Sequence, residues 1–340
     1  MKFKSYTSTL DLATKVAKKE KISLPEMLHL QLSHFARNLG SNSILHTLNF
    51  SIMACEYDFL KSDKNIVFIE DQYTINKLMN LEFTAKIATI GYFPFKTFTL
   101  SLPNVAKSGN LDLLPCLISI CTPDEYKTKV IQFMKEGLAL PDSKIESILD
   151  TSSDPAYENE QFIRMIIPTR SENGIAHTFS GFPVSKLPTI LNTPIKHFDR
   201  TLYNEIFGLS SSDAYELDKD DILLQLTMLR LIAAMFIYNK VTDNKYFRTG
   251  VPKGCLSPKH MGLLKELGNA SNKYVFSRPQ DKSDSHKVST HVRSEHIRQF
   301  TSERYYKGEF SSIPIGERFV LVKETLVGEG QPYTQGSDKS

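Results

Sequence analysis

Residues 291–298 read His-Val-Arg-Ser-Glu-His-Ile-Arg, and residues 304–307 follow with Arg-Tyr-Tyr-Lys. Paired histidines, or a histidine and a carboxylate, can serve as general base and acid in phosphodiester cleavage, which makes His291, Glu295 and His296 candidates for that chemistry. Arg293 and Arg298 would then stabilise the charge of the phosphorane. The same residue types also suit a non-catalytic surface for single-stranded RNA, with arginines on phosphates and tyrosines stacked on bases. A third reading is a basic, solvated segment whose histidines only hydrogen-bond. An extended strand would place His291, Arg293 and Glu295 on one face and His296 and Arg298 on the other; a helix would instead gather Arg293, His296 and Ile297.

Charge distribution supports an anionic partner for this region. Residues 245–307 hold 13 Lys/Arg against 5 Asp/Glu, whereas the rest of the chain holds 28 against 33, although the net charge is only +3. Such asymmetry is a physical hint of an anionic partner, and a solvated basic face is the plain alternative. A second aromatic–basic group, Tyr246-Phe247-Arg248 ahead of Gly250-Val251-Pro252-Lys253-Gly254, adds Tyr246 and Arg248 to the candidate binding residues. Most turns of this kind are connectors. Together the binding candidates are Tyr246, Arg248, His291, Arg293, Glu295, His296, Arg298 and Arg304.

The chain has no Walker-type phosphate loop, no dinucleotide fingerprint, no H-E-x-x-H and no nucleophile elbow. No Cys/His set has zinc spacing, so no metal site and no cofactor are expected. Cys55, Cys116, Cys121 and Cys255 form no C-x-x-C pair, and read as small buried hydrophobes in a reducing compartment. No apolar stretch follows Met1-Lys2-Phe3-Lys4, so no signal peptide is expected. The longest apolar run, residues 222–238, contains Gln225 and Arg230 and falls short of the ~20 residues a bilayer requires. It reads as a core helix, and no membrane partner is expected.

The elements that would carry these groups follow from periodicity. The first sixty residues read as helices over 10–19, 24–38 and 43–60, the second capped by Ser23 with Pro25 in its first turn. Runs rich in β-formers at 65–70, 95–102, 113–121 and 161–168 read as strands. Thr122-Pro123-Asp124-Glu125 opens a helix that ends at Gly137. A mainly helical stretch follows residue 168, its strongest helix starting at Asp220, with another from Ser257-Pro258 to about 267. Residues 317–327 read as a final strand. The expected class is α+β, a helical N-terminal part followed by a mixed sheet-containing body. The expected organisation is a helical region at 1–62, an α/β region at 63–155, a mainly helical region at 156–270, a polar connector at 271–289, a basic segment at 290–328 and a disordered tail at 329–340.

One resemblance is specific to the C-terminal residues. His291-Val292-Arg293, His296-Ile297-Arg298, Gly316, Arg318-Phe319-Val320-Leu321-Val322 and Leu326-Val327 resemble the C-terminal signature of a phage- and plasmid-borne family that includes type V-A anti-CRISPR inhibitors. Upstream, the apolar helix through Leu229-Arg230-Leu231-Ile232, then Asp243, Tyr246 and the Gly250-x-Pro252 turn, is similar to that family's helix-then-turn element. The likeness covers roughly residues 220–327. Glu295 and Ile297 stand where the family has a glycine and an aromatic. The resemblance implies an inhibitor that engages a nascent polypeptide on the ribosome and suppresses expression of a host-defence, CRISPR-type protein. Its partners would be a host or phage polypeptide and RNA or the ribosome, and its location the cytoplasm of the host bacterium. An RNA-cleaving enzyme using the His/Arg/Glu cluster and a non-enzymatic phage adaptor are the alternatives. Catalysis has the weaker support, because no nucleophile or metal signature accompanies the histidines.

Overall fold

A computed structural model describes residues 3–39, 44–84, 94–149, 159–171, 174–207, 218–242, 246–252, 272–277, 291–293, 296–322 and 325–327. The chain begins with a short strand, β1 (Phe3–Lys4), and three helices, α1 (Thr9–Glu20), α2 (Leu24–Leu39) and α3 (Ile44–Lys61). An α/β stretch follows with β2 (Asn65–Ile69), α4 (Gln72–Met79), β3 (Glu82–Thr84) and β4 (Thr97–Pro103). A small hairpin, β5 (Lys107–Ser108) and β6 (Leu111–Asp112), leads to β7 (Cys116–Cys121), α5 (Pro123–Gln132) and α6 (Asp142–Leu149). Next come β8 (Phe162–Ser171), β9 (Gly174–Pro183), α7 (Leu187–Asn192), α8 (Arg200–Phe207) and α9 (Lys219–Val241). The last strands are β10 (Phe247–Thr249), β11 (Lys273–Phe276), β12 (His291–Arg293), β13 (His296–Phe300), β14 (Arg318–Val322) and β15 (Thr325–Val327). The class is α+β, helical at the N-terminus with mixed sheets in the body.

The main sheet has eight strands in the order β10-β11-β2-β4-β7-β8-β9, with β1 added beside β4. β11, β2 and β4 run parallel, and the remaining pairs are antiparallel. Period-two alternation divides the side chains between the two faces. Val67 and Ile69, Phe98 and Leu100, Ile118 and Ile120, and Ile163 and Met165 join the core built around α9. Leu117 and Ile166 face the other way, onto Ile52 and Cys55 of α3. On that second face β4 carries Thr97, Thr99 and Ser101, which are buried. Thr97 meets its polar requirement by donating to Asp58 of α3 at 2.7 Å, and Lys129 of α5 bridges the same carboxylate at 2.8 Å.

The apolar run at 222–238 is the central helix α9, and 89% of its most apolar window is buried inside the protein. Asp218 caps its start, and acids occupy its first turn, as its dipole favours. The capping box at Thr122 and Glu125 is present. Gly137 closes the turn after α5, where an added Cβ would lie 2.6 Å from the buried Phe133 ring.

Residues 317–327, expected as one strand, instead carry β14 and β15, which pair in different sheets because their partners β13 and β12 differ. Two further elements differ from the sequence expectation. Residues 174–183 form β9, paired with β8 along ten residues, in a stretch expected to be helical. The Asn173-Gly174 dipeptide after a strand is the hairpin signal there. Residues 273–276, within the expected polar connector, form β11, held between β10 and β2 with Val275 and Phe276 buried. A four-residue strand among polar neighbours carries too little pattern to register. The expected helix at 257–267 and the tail at 329–340 lie outside the described residues.

Candidate functional site

The C-terminal cluster is split between two sheets. β12 pairs with β15, His291 opposite Val327 and Arg293 opposite Thr325. β13 is the middle strand of a separate sheet, β14-β13-β3. His296 and His291 are therefore carried by strands of different sheets, and Glu295 lies outside the described residues.

β13 shows why its residues point where they do. Ile297 is buried in the core with α9, and Gln299 is buried beside it. His296, Arg298 and Phe300 alternate onto the opposite, accessible face. Phe319 and Leu321 of β14 pack against the same core. This fastening holds the outward residues on a rigid strand.

The loop from β13 to β14 is clamped by one hydroxyl. Tyr306 donates to the Phe300 carbonyl and accepts from Gly316 N at 2.8 Å and Arg318 N at 3.3 Å. Gln299 donates to the Gly316 carbonyl, and Arg318 donates to the Tyr305 carbonyl. Arginines and rings interleave over this frame. The Arg318 guanidinium lies 3.4 Å from the Phe310 ring centre and 5.1 Å from that of Phe300. Arg298 lies 5.6 Å from the Phe300 ring, and Phe300 and Tyr305 are 4.3 Å apart. Arg304 sits 4.6 Å from the Tyr305 ring and donates to its hydroxyl at 2.6 Å. Arg298, Arg304 and Arg318 form no ion pair among the described residues.

Tyr246 and Arg248 belong elsewhere. β10 is at the edge of the main sheet, and Arg248 donates to both oxygens of Glu70 at 3.0 and 3.1 Å. Tyr246 packs on Tyr238 of α9 at 5.4 Å between ring centres. The turn is tied into the body, and a different sheet carries the arginines of β13 and its loop. Lys273, also in the basic stretch, is buried.

No protein-family model, curated protein or solved structure matches this chain. The geometry therefore has to carry the functional reading. Among the described residues, no group of three or more His, Cys, Asp or Glu is gathered as metal ligands would be. Cys55, Cys116 and Cys121 are free and buried, and burial pushes the Cys55 thiol up to about 12. Such thiols are poor nucleophiles at neutral pH.

Two buried charges were not among the sequence's site candidates, Glu56 and Arg230. Glu56 of α3 accepts from Tyr6 Oη at 2.7 Å, Ser8 Oγ at 3.0 Å, and Thr9 N and Leu10 N at 2.9 Å each. It thus sits at the N-terminus of α1, where backbone N–H groups are unpaired. Burial raises its pKa, opposed by these hydrogen bonds and by His177. Arg230 of α9 donates to the carbonyls of Ile190 at 2.9 Å, Thr193 at 3.1 Å and Leu191, and to Leu81 at 2.9 Å. One arginine within an apolar run was its only signal in the sequence.

Proposed function

We propose that the protein is a non-enzymatic binding protein that docks on RNA through the arginine–aromatic face of β13, β14 and their connecting loop. The observation that carries this reading is the set Arg298, Arg304 and Arg318, which have no carboxylate partner among the described residues and are interleaved with Phe300, Tyr305 and Phe310. Guanidinium groups recognise phosphate with fixed donor geometry and stack on bases. Pre-organisation by Tyr306 lowers the ordering cost of such docking. The family resemblance adds the setting: a phage- or plasmid-encoded inhibitor that meets a target polypeptide on translating ribosomes and lowers expression of a host-defence protein.

Affinity capture from expressing cells, with protein and RNA both identified, tests this reading. Ribosomal or messenger RNA should be recovered together with one target polypeptide, and Arg298→Ala/Arg304→Ala should lose the RNA. Recovery of neither RNA nor a defined polypeptide would refute it. Purified protein incubated with RNA, with and without magnesium, should produce no cleavage. Cleavage abolished by His291→Ala and His296→Ala would establish the nuclease alternative instead.

A further inference from the structure

A pocket lies between β3, at the edge of the β14-β13-β3 sheet, and the end of α7. Thr193-Pro194 stops that helix, because proline cannot continue the hydrogen-bond ladder. The carbonyls left over at its end converge on Arg230, which also holds the Leu81 carbonyl just ahead of β3. This knot ties α7, α9 and β3 together, and a cavity of about 460 Å³ opens next to it. Its size falls within the ~300–1,000 Å³ typical of small-ligand sites.

The lining is amphipathic. Leu81, Phe83, Leu191 and Ile195 supply apolar wall, and Asn80 and Asn192 supply amides. Its charges are Arg230 and Lys196 against Glu82. Arg230 is 5% exposed, and its described partners are neutral carbonyls. Its Nε has no hydrogen-bond partner among the described residues. Lys196 is exposed at the rim and makes no ion pair among the described residues.

We infer that this cavity binds a small organic carboxylate with an apolar body. The buried guanidinium has committed its terminal N–H groups to carbonyls, so it contributes field rather than direct hydrogen bonds. Because Arg230 is buried, its charge is screened less than that of an exposed group. Lys196 and Asn80, both exposed residues of the lining, would supply the hydrogen bonds. The apolar wall fits a hydrocarbon body, which inorganic phosphate lacks. Glu82 penalises a dianion more than a monoanion, which favours carboxylate over phosphate. The site is distinct from the arginine–aromatic face, so either reading can fail without the other.

Calorimetric titration of the full chain with octanoate, octanamide and inorganic phosphate tests the assignment. Octanoate should bind saturably at one site. Lys196→Ala should weaken it roughly tenfold or more, the scale of removing a hydrogen bond to a charged group. Glu82→Gln should tighten it a few-fold by removing a like charge. Both residues are exposed, so both variants should melt with the parent. Octanamide should bind much more weakly. Failure of octanoate to saturate, equal binding of octanamide, preference for phosphate, or affinity unchanged in both variants would each overturn the assignment.

Discussion

Glu56 shows how one buried carboxylate organises the N-terminus. Its two oxygens take four donors, from Tyr6, Ser8, Thr9 and Leu10, so an amide cannot replace it without a donor meeting a donor. Glu56→Gln should destabilise the protein by about 1–3 kcal/mol in denaturant unfolding. Linkage also fixes a sign. Because burial raises the folded pKa above the ordinary 4.5, the native state holds this proton to higher pH than the unfolded chain does. The proton-linked part of Glu56's contribution is therefore full below about pH 4.5 and falls as pH rises through the folded value. The gap between parent and Glu56→Gln, measured from about pH 4 to 8, should shrink in that direction; a gap that widens would contradict the assignment.

At the scale of elements, β13 sets a buried residue directly beside an exposed one. Ile297→Ala removes a side chain that is 1% exposed and should cost roughly 2–5 kcal/mol, read as a lowered melting midpoint. Arg298→Ala, on the exposed face, should leave the midpoint nearly unchanged and weaken RNA binding. Gly137→Ala should also destabilise, by about 1–3 kcal/mol, because the buried Phe133 ring has no room to retreat. Much of this level was legible in the sequence. β2, β4, β7 and β8 are continuous or alternating apolar runs, and α5 and α9 carry their caps in full. β9 and β11 were not legible for opposite reasons. β9 is long but interrupted by His177 and Gly181, and β11 is short and has its meaning only between two other strands. The exposed positions of Arg298 and Arg304 followed from residue type. The splitting of His291 from His296 did not, because it depends on which strand each segment pairs with.

The whole molecule is knitted across its length. β1 pairs with β4, and β11 joins β2 from far along the chain, so the N-terminal strand and a late strand share one sheet. The net charge of +3 hides a basic stretch at 245–307, and parts of that stretch are neutralised or buried: Arg248 by Glu70, Lys273 by the core. Over residues 296–322 the charge that remains belongs to Arg298, Arg304, Lys307 and Arg318, set against Glu303, Glu309 and Glu317. Docking by this face should depend on a few arginine–phosphate pairs rather than on the overall field, and each pair releases counterions. The most direct test is the affinity for a labelled single-stranded RNA across a sodium chloride series, for the parent and for Arg298→Ala/Arg304→Ala. The slope of log K against log salt should become shallower by roughly 0.7 for each phosphate that is no longer neutralised, about 1.4 for the double variant. Parent protein that binds no RNA, or a double variant that melts with the parent and keeps both its affinity and its slope, would contradict RNA recognition by this face.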